Sequence, residues 1–377
     1  MRSWGFALVI ALAACSGNDS NEILNPPRDQ YGTWEKVEFP GTVCGNNTPF
    51  KMFVNYSKDS DNLAVVFEPG GACWDYDSCT GKNGIRGAAN VDGITDDHWQ
   101  MAPFISPFLN RDYPDSPTTK WNYVYVPYCT GDVHTGNTVA TYDDGSGASI
   151  DFHHEGHNDT EAVTAWIDQS FTHVPKMLVT GCSAGGVGSL VNYHFLRKGV
   201  HAAQKAYLLD DSGPIFPTSG YSGMMHAKIR SAWNLDSLAS QLPPGATLDD
   251  MGTMNTALAD EFPHDRLATT FFQRDYDFSL YSYERFYNFP PKDQIMSMWA
   301  ADTDLLVSLY ATKKNLYYFL PYYRNVNDSH CTTVLSFAGS DIEDHHMTLA
   351  QWVNDFVDDK PIVSMREAPV SGEDGTP

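Results

Sequence analysis

Residues 177–186 of the chain read Met177-Leu-Val-Thr-Gly-Cys-Ser-Ala-Gly-Gly186. Its first four residues form a short apolar run typical of a buried strand, and the pattern of Val187–Leu196 after the last glycine is typical of a helix. Small residues flank Ser183 because a sharp strand-to-helix turn leaves no room for larger side chains. The turn lifts the hydroxyl clear of the backbone, and the helix N-terminus offers free N–H groups to an oxyanion. The sequence therefore predicts a nucleophilic serine at the junction of a strand and a helix.

The same alternation of strand and helix extends over most of the chain. Buried strands are predicted at Leu63–Phe67, Tyr123–Val126, Met177–Thr180, Ala206–Leu209, Thr269–Phe272 and Leu316–Leu320. Helices are predicted at Asp159–Phe171, Val187–Leu196, Asp293–Tyr310 and Thr348–Val357. Strands that alternate with helices form a mostly parallel sheet covered on both faces, so the predicted class is α/β, as one domain with extended loop insertions. In such a sheet the functional residues lie just after the carboxyl ends of the strands.

A glycine pair directly after the first of these strands supplies the expected partner of the serine. The strand Leu63–Phe67 runs into Glu68-Pro-Gly-Gly-Ala-Cys-Trp74. A loop in this position donates a second backbone N–H to the oxyanion, beside that of the residue after the serine. We predict Gly71, Ala72 and Ala184 as the donors.

The base is predicted from the order of residues along the chain. In an arrangement with the serine on such a turn, the acid follows the serine and the histidine comes last. His330 follows the predicted strand Leu316–Leu320 and lies in a polar loop, so we predict it as the base. His345 and His346 come later, in a segment whose acidic residues also allow a metal site, although such loops are usually only solvated.

The acid should come between the serine and the histidine, after a strand. The segment Thr269-Thr-Phe-Phe-Gln-Arg-Asp-Tyr-Asp277 ends in two carboxylates, either of which could orient an imidazole. Asp277 is the first choice and Asp275 the second. Asp211, which follows the predicted strand Ala206–Leu209, is the third.

A second cluster of histidines invites a metal interpretation. His153, His154 and His157 lie close together with Glu155 between them. The spacing differs from the helical His-Glu-x-x-His pattern, and Gly156 interrupts a helix there. We therefore predict no metal, and expect these side chains to lie at the rim of a pocket or in a solvated loop.

Five motifs in this order resemble the pectin acetylesterase family. They are Gly70-Gly71 with Cys73 and Trp74, Tyr128-Cys-Thr-Gly-Asp132, Gly181-Cys-Ser-Ala-Gly-Gly186, Asp211-Ser-Gly213 and Ser329-His330. The resemblance spans about Cys44 to His330 and implies an α/β-hydrolase that cleaves carboxylic esters without a cofactor. By the same resemblance Ser183 is the nucleophile, His330 the base and Asp277 the acid. Leu280 stands where the family often has a glutamine three residues after its aspartate, so the acid is the position where the chain departs from the pattern.

The N-terminus has the features of an export signal. An apolar run from Trp4 to Ala14 ends in Leu-Ala-Ala-Cys15, which resembles a bacterial lipobox. We predict a signal peptide over residues 1–14, lipidation at Cys15 and a tether over 15–30. The catalytic domain follows over 31–365, with a flexible tail over 366–377. The expected location is the bacterial cell envelope, or otherwise the periplasm or the medium.

Six cysteines remain after Cys15, an even number that favours disulfides in an exported protein. The family resemblance implies the pairs Cys73–Cys79 and Cys44–Cys129. Cys182 and Cys331 are left, each next to a predicted catalytic residue. If Ser183 and His330 meet, these two sulfurs could also pair.

Composition limits the partners and the substrate. The net charge is −23, which disfavours nucleic acid, anionic membranes and polyanionic pectin. The resemblance favours an acetyl or other acyl ester, on a small molecule or a carbohydrate, and we expect a monomer whose only membrane contact is its lipid anchor. Aromatic residues between Phe271 and Tyr323 could line a sugar or acyl site.

Two other functions are alternatives to a serine esterase. One is a non-catalytic glycan-binding lipoprotein, and the other is metal-assisted hydrolysis at His153, His154 and His157.

Overall fold

The computed structural model describes residues 24–336 and 347–369. A central sheet of nine strands dominates these residues, and a separate hairpin lies beside it. The sheet strands are β1 (Trp34–Val43), β2 (Pro49–Asn55), β3 (Leu63–Phe67), β4 (Asn122–Val126), β7 (Val174–Cys182), β8 (Ala203–Asp211), β9 (Arg266–Thr270), β10 (Leu316–Leu320) and β11 (Met365–Arg366). The hairpin consists of β5 (Thr138–Asp143) and β6 (Ser149–His154).

The strand order in the sheet is β1-β2-β4-β3-β7-β8-β9-β10-β11. β1, β2 and β4 pair antiparallel, and every pair from β4 to β11 is parallel. All five residues of both β3 and β4 are buried, as expected for parallel strands covered on both faces. The carboxyl ends of β3, β7, β8 and β9 therefore meet at one edge of the sheet, where the site residues follow.

Ten α-helices are described. They are α1 (Tyr76–Thr80), α2 (Ala102–Ile105), α3 (Gly156–Ser170), α4 (Ala184–Gly199), α5 (Gly223–Ala232), α6 (Thr253–Glu261), α7 (Tyr276–Tyr283), α8 (Lys292–Tyr310), α9 (Thr332–Ser336) and α10 (Leu349–Val357). α4 packs against β3, β7 and β8, and ten of its residues are buried. The described helices include none that is both long enough and apolar enough to cross a membrane.

The predicted α/β class is confirmed, and the elements that were predicted are present. β3 and β10 have the predicted bounds, and the other four predicted strands overlap β4, β7, β8 and β9. The pattern missed β1, β2, β11 and the hairpin. β1 alternates between exposed and partly buried residues at the edge of the sheet, so it lacks the continuous apolar run used to find strands.

Residues near both predicted boundaries of the body contact it. Residues 24–30, assigned to the tether, contact the body, where Asn25 exchanges hydrogen bonds of 2.7 and 2.9 Å with the backbone of His173. Arg366, assigned to the tail, belongs to β11, and the buried Glu367 pairs with Arg324 at 3.1 Å. The predicted signal peptide and Cys15 lie outside the described residues.

Three disulfide bonds join the six described cysteines. They are Cys44–Cys129 and Cys73–Cys79, which the family resemblance implied, and Cys182–Cys331, the pair left as a hypothesis. Disulfides persist in oxidising compartments and are rare in the cytosol. The protein is therefore an exported one.

Candidate active site

Ser183 lies on the turn between β7 and α4, as the sequence predicts. Its backbone has φ 57° and ψ −121°, a conformation that non-glycine residues rarely adopt. The turn is packed backbone against backbone, because a side chain on Gly185 would meet the carbonyls of Phe67 and Glu68 at the end of β3. The Ser183 N–H donates to the carbonyl of Asp211 at 2.8 Å. Contacts with neighbouring strands thus hold the strained serine in place.

Backbone N–H groups surround the serine on two sides. Ala184 is the first residue of α4, so its N–H belongs to the unpaired first turn of a helix. Gly71 has φ 70°, and its carbonyl accepts a hydrogen bond of 2.9 Å from the Tyr128 hydroxyl. Within the described parts of the chain, no oxygen accepts the N–H of Gly71, Ala72 or Ala184. These three residues line one pocket together with Ser183, so their N–H groups are available to a bound oxygen.

His330 is held by Asp275. Nδ1 of His330 lies 2.8 Å from Oδ2 of Asp275, while Oδ1 of Asp275 accepts the N–H of Phe278 at the start of α7. Asp275 is fully buried, which protects the pair from water. The ring nitrogen left for a substrate or a serine is Nε2.

Asp275, the second choice for the acid, therefore lies where Asp277 was predicted. Asp277 lies 3.7 Å from Nε2 of His330, at the opposite nitrogen, and forms an ion pair with Arg86. The physical reason is that Asp275 caps the N-terminus of α7 and points inward, whereas Asp277 lies within the first turn and is partly exposed. The geometry moves our assignment of the orienting acid from Asp277 to Asp275.

Two opposing effects set the pKa of His330. Burial would lower it, but the charge and hydrogen bond of Asp275 outweigh burial, with help from the charges of Asp277 and Asp211. The net effect raises the pKa of His330 to about 9. The imidazole is therefore a stronger base than a free histidine and carries a proton at neutral pH.

Asp211, the third choice for the acid, binds the loop after His330 instead of its ring. Its carboxylate accepts hydrogen bonds from Thr332 and Thr333, including both of their backbone N–H groups at 2.8 Å. Asp211 is fully buried at the end of β8.

The Cys182–Cys331 disulfide brings the serine turn and the histidine loop together. Ser183 follows Cys182, and His330 precedes Cys331, and the two bridged Cα atoms are 5.6 Å apart. Among the described residues, the Ser183 hydroxyl has no hydrogen-bond partner, the imidazole included. Catalytic hydrogen bonds are often long without substrate and tighten only in the complex.

An apolar pocket begins at the serine. It is lined at one end by Ser183, Gly71 and Ala72, and it encloses about 120 Å³. One wall is a face of α4, formed by Val187, Val191 and Phe195. At about 1.5 Å per residue, this face extends about 18 Å from the serine to Phe195.

The cover of the pocket comes from a segment in which the sequence predicted no element. The segment comprises α5 and the chain up to Met254, and its apolar lining residues are Met225, Ile229, Trp233, Leu235, Leu238, Leu242, Leu248, Met251 and Met254. The apolar residues in α5 and in the turns after it were the sequence feature from which this cover could have been predicted. None of the described lining residues is Asp, Glu, Lys or Arg. Burial lowers the pKa of His226 in this wall to about 4, so the wall is uncharged at neutral pH.

The aromatic residues proposed for a substrate surface divide between the pocket and the core. Tyr281 lines the pocket, and its hydroxyl donates to the Gly87 carbonyl at 2.8 Å. Trp299 and Tyr283 are fully buried, and Phe286 packs against Trp74, which itself lines the pocket.

The histidines of the second cluster have separate surroundings. Both ring nitrogens of His154 have protein partners at 2.9 Å, the Thr130 carbonyl and the Tyr142 hydroxyl. His157 lines the apolar pocket, whereas His153 lies 3.3 Å from Glu155. His345 and His346 lie outside the described residues.

Comparisons with known proteins found a matching family model and several relatives. Residues 35–278 match the family model described as Pectinacetylesterase. The chain is 23% identical over 203 residues to a palmitoleoyl-protein carboxylesterase, notum2, of Xenopus laevis, covering 53% of this chain and 36% of that protein. It is 25% identical over 225 residues to pectin acetylesterase 4 of Arabidopsis thaliana, covering 57% of this chain and 52% of that protein. The matches thus span about half or less of these relatives.

A solved structure has the same fold. The crystal structure of the Wnt deacylase Notum from Drosophila aligns with a TM-score of 0.60 at 15% identity, covering 92% of this chain and 100% of that chain. The chain therefore has a Notum-like α/β-hydrolase fold.

Proposed function

Since the chain belongs to the pectinacetylesterase family, a family of esterases, we propose that it is a serine carboxylesterase whose substrate places its acyl group in the apolar pocket. The observation that carries this proposal is the pocket itself, which begins at Ser183 and the unpaired N–H groups and continues along α4. An ester carbonyl at Ser183 would put its oxygen near those N–H groups and its acyl chain along the apolar wall.

The proposed reaction has two steps. Oγ of Ser183 attacks the acyl carbonyl while Nε2 of His330 takes the hydroxyl proton, and the N–H groups of Gly71, Ala72 and Ala184 stabilise the oxyanion. The bond to the alcohol then breaks, and His330 returns the proton to the leaving oxygen. Water, activated by the same imidazole, releases the acid from the acyl-enzyme. In this scheme Asp275 keeps the ring in the correct tautomer and stabilises its charged form.

The size and polarity of the pocket support an acyl group longer than acetyl. An apolar cavity of about 150 Å³ holds a benzene molecule, so a cavity of 120 Å³ has room for a chain of about five carbons. Each buried methylene contributes about 0.8 kcal/mol. We propose a neutral ester, on a small molecule or a carbohydrate, because the net charge of −23 disfavours a polyanionic substrate.

We propose further that the protein is held at the bacterial cell envelope by a lipid on Cys15. The lipobox-like sequence at the N-terminus supports this proposal.

A series of p-nitrophenyl esters from acetate to dodecanoate tests the proposed function. We expect kcat/KM to rise with chain length until the pocket is filled, and Ser183→Ala to abolish turnover without changing the melting temperature. A flat or falling series would contradict the acyl pocket, and turnover by Ser183→Ala would contradict the nucleophile. A protein that bound acylated glycans but hydrolysed no ester would instead be the non-catalytic alternative.

A further inference from the structure

The loop that carries His330 has an unfavourable backbone. Asn327, Asp328 and Ser329 before the histidine have φ between 51° and 54°, and Cys331 after it has φ 66°. Non-glycine residues in this left-handed region cost free energy, so four of them around one histidine persist only where contacts impose the conformation. The position of the imidazole therefore depends on whatever holds this loop.

The carboxylate of Asp211 makes the densest set of contacts to the loop. Oδ1 accepts the N–H and the hydroxyl of Thr332 at 2.8 and 2.7 Å, and also the Ser212 hydroxyl at 2.9 Å. Oδ2 accepts the N–H and the hydroxyl of Thr333 at 2.8 and 2.6 Å. All five donors reach a fully buried carboxylate, where charge-assisted hydrogen bonds are strong.

The same residue also holds the serine. The backbone carbonyl of Asp211 accepts the Ser183 N–H at 2.8 Å, and the Ser212 hydroxyl accepts the Cys331 N–H at 3.1 Å. Asp211 ends β8, which pairs with β7 up to Cys182. One buried residue therefore fixes the turn of Ser183 with its main chain and the loop of His330 with its side chain.

We propose that Asp211 is a positioning residue, which sets the location of His330 relative to Ser183 without touching substrate. This inference rests on the proposed function, because it concerns the same reaction. An Asn at this position would turn one acceptor oxygen into an NH₂ group facing N–H and hydroxyl donors. The loop would then lose contacts on one side and shift, and displacements of about 1 Å in a catalytic group can cost about 100-fold in rate.

The test compares Asp211→Asn with Asp210→Asn. Asp210 is the neighbouring residue of β8 and is equally buried, but it binds Gly213 and Thr269 instead of the histidine loop. Rates are measured with one ester on the alkaline plateau, where a change in the pKa of His330 does not contribute. For Asp211→Asn we expect kcat to fall about 10- to 100-fold with KM within about twofold of wild type. Asp210→Asn should keep kcat within about threefold.

A proton NMR measurement separates positioning from general destabilisation. The Nδ1–H of His330, hydrogen-bonded to Asp275, should give a low-field resonance in the wild type that shifts or broadens in Asp211→Asn and stays in Asp210→Asn. If Asp211→Asn does not fold, the double variant Thr332→Val, Thr333→Val keeps both backbone N–H donors and should show a smaller loss of kcat. Wild-type kcat in Asp211→Asn or in the double variant would overturn the proposal, as would an equal loss in Asp210→Asn. A wild-type protein without ester hydrolysis would contradict the proposed function instead, while the NMR comparison would still report on the loop.

Discussion

Cys182 and Cys331 form a disulfide bond that places Ser183 and His330 one residue away from the same covalent link. The bond closes a loop of 149 residues, which is large for a disulfide. It joins the turn of the proposed nucleophile to the loop of the proposed base. These two segments are therefore connected by a covalent bond as well as by Asp211.

Removing this bond should lower both stability and activity. In the chain-entropy model a loop of this length contributes about 5 kcal/mol, so the double variant Cys182→Ala, Cys331→Ala should lose about that much free energy of unfolding in urea. We expect kcat to fall as well, because the histidine loop loses its covalent link. Thiol titration of the denatured, unreduced mature protein should find no free thiol among the six described cysteines, and two free thiols would disprove the bridge.

Replacing each carboxylate near His330 should separate their roles. Asp275→Asn should lower kcat about 10⁴-fold, because the amide favours the wrong tautomer of the imidazole. Asp277→Asn should cost less than about tenfold, since Asp277 faces Nε2 and pairs with Arg86. Steady-state kinetics with one ester measure kcat for both variants. A larger loss in Asp277→Asn would return the acid to the first choice made from the sequence.

The pH dependence of kcat/KM should have an alkaline midpoint. A base works only when unprotonated, so with the pKa of His330 raised to about 9, kcat/KM should reach half of its maximum near pH 9 and level off above about pH 10. The carboxylate of Asp277, 3.7 Å from Nε2, stabilises the protonated imidazole. Asp277→Asn removes this negative charge, so the pKa of His330 should fall and the midpoint should move to lower pH. The profile is corrected with Ser183→Ala for uncatalysed hydrolysis. A wild-type midpoint near the ordinary histidine value of 6.5 would contradict the electrostatic account.

Filling the apolar pocket should change the preferred chain length. Val187 lies on the α4 wall about 6 Å along the helix from Ser183, within reach of a chain of about five carbons. Val187→Phe should leave acetate hydrolysis unchanged, but kcat/KM for pentanoate should fall about 50-fold if about three methylene groups lose their burial at about 0.8 kcal/mol each. Val187→Ala, which widens the pocket at the same position, should retain pentanoate activity. Equal losses for acetate and pentanoate in Val187→Phe would mean that the acyl chain lies elsewhere.

The sequence predicted those features that follow from local patterns. The strand-to-helix turn of Ser183 could be found because close backbone packing demands small residues at fixed spacing around the serine. The buried parallel strands could be found because both of their faces are apolar. His330 was predicted among thirteen histidines because it lies late in the chain, in a polar loop after a predicted strand.

The remaining features depend on contacts that are distant in sequence. Asp275 and Asp277 are separated by one residue, and only the docking of α7 against the histidine loop determines which carboxylate meets Nδ1. The cover of the pocket consists of short helices and turns that contribute isolated apolar side chains. Its sequence therefore has no long periodic pattern from which it could be predicted. The hydrogen bonds of Asp211 with Thr332 and Thr333 join residues more than 120 positions apart.

A fluorophosphonate probe reacts with an activated serine nucleophile, the role proposed for Ser183. The wild-type protein is incubated with this probe, and the adduct is mapped by mass spectrometry. We predict a single adduct on the peptide containing Ser183, formed by displacement of fluoride, and none in Ser183→Ala. An unlabelled wild-type protein, or equal labelling of Ser183→Ala, would contradict the account.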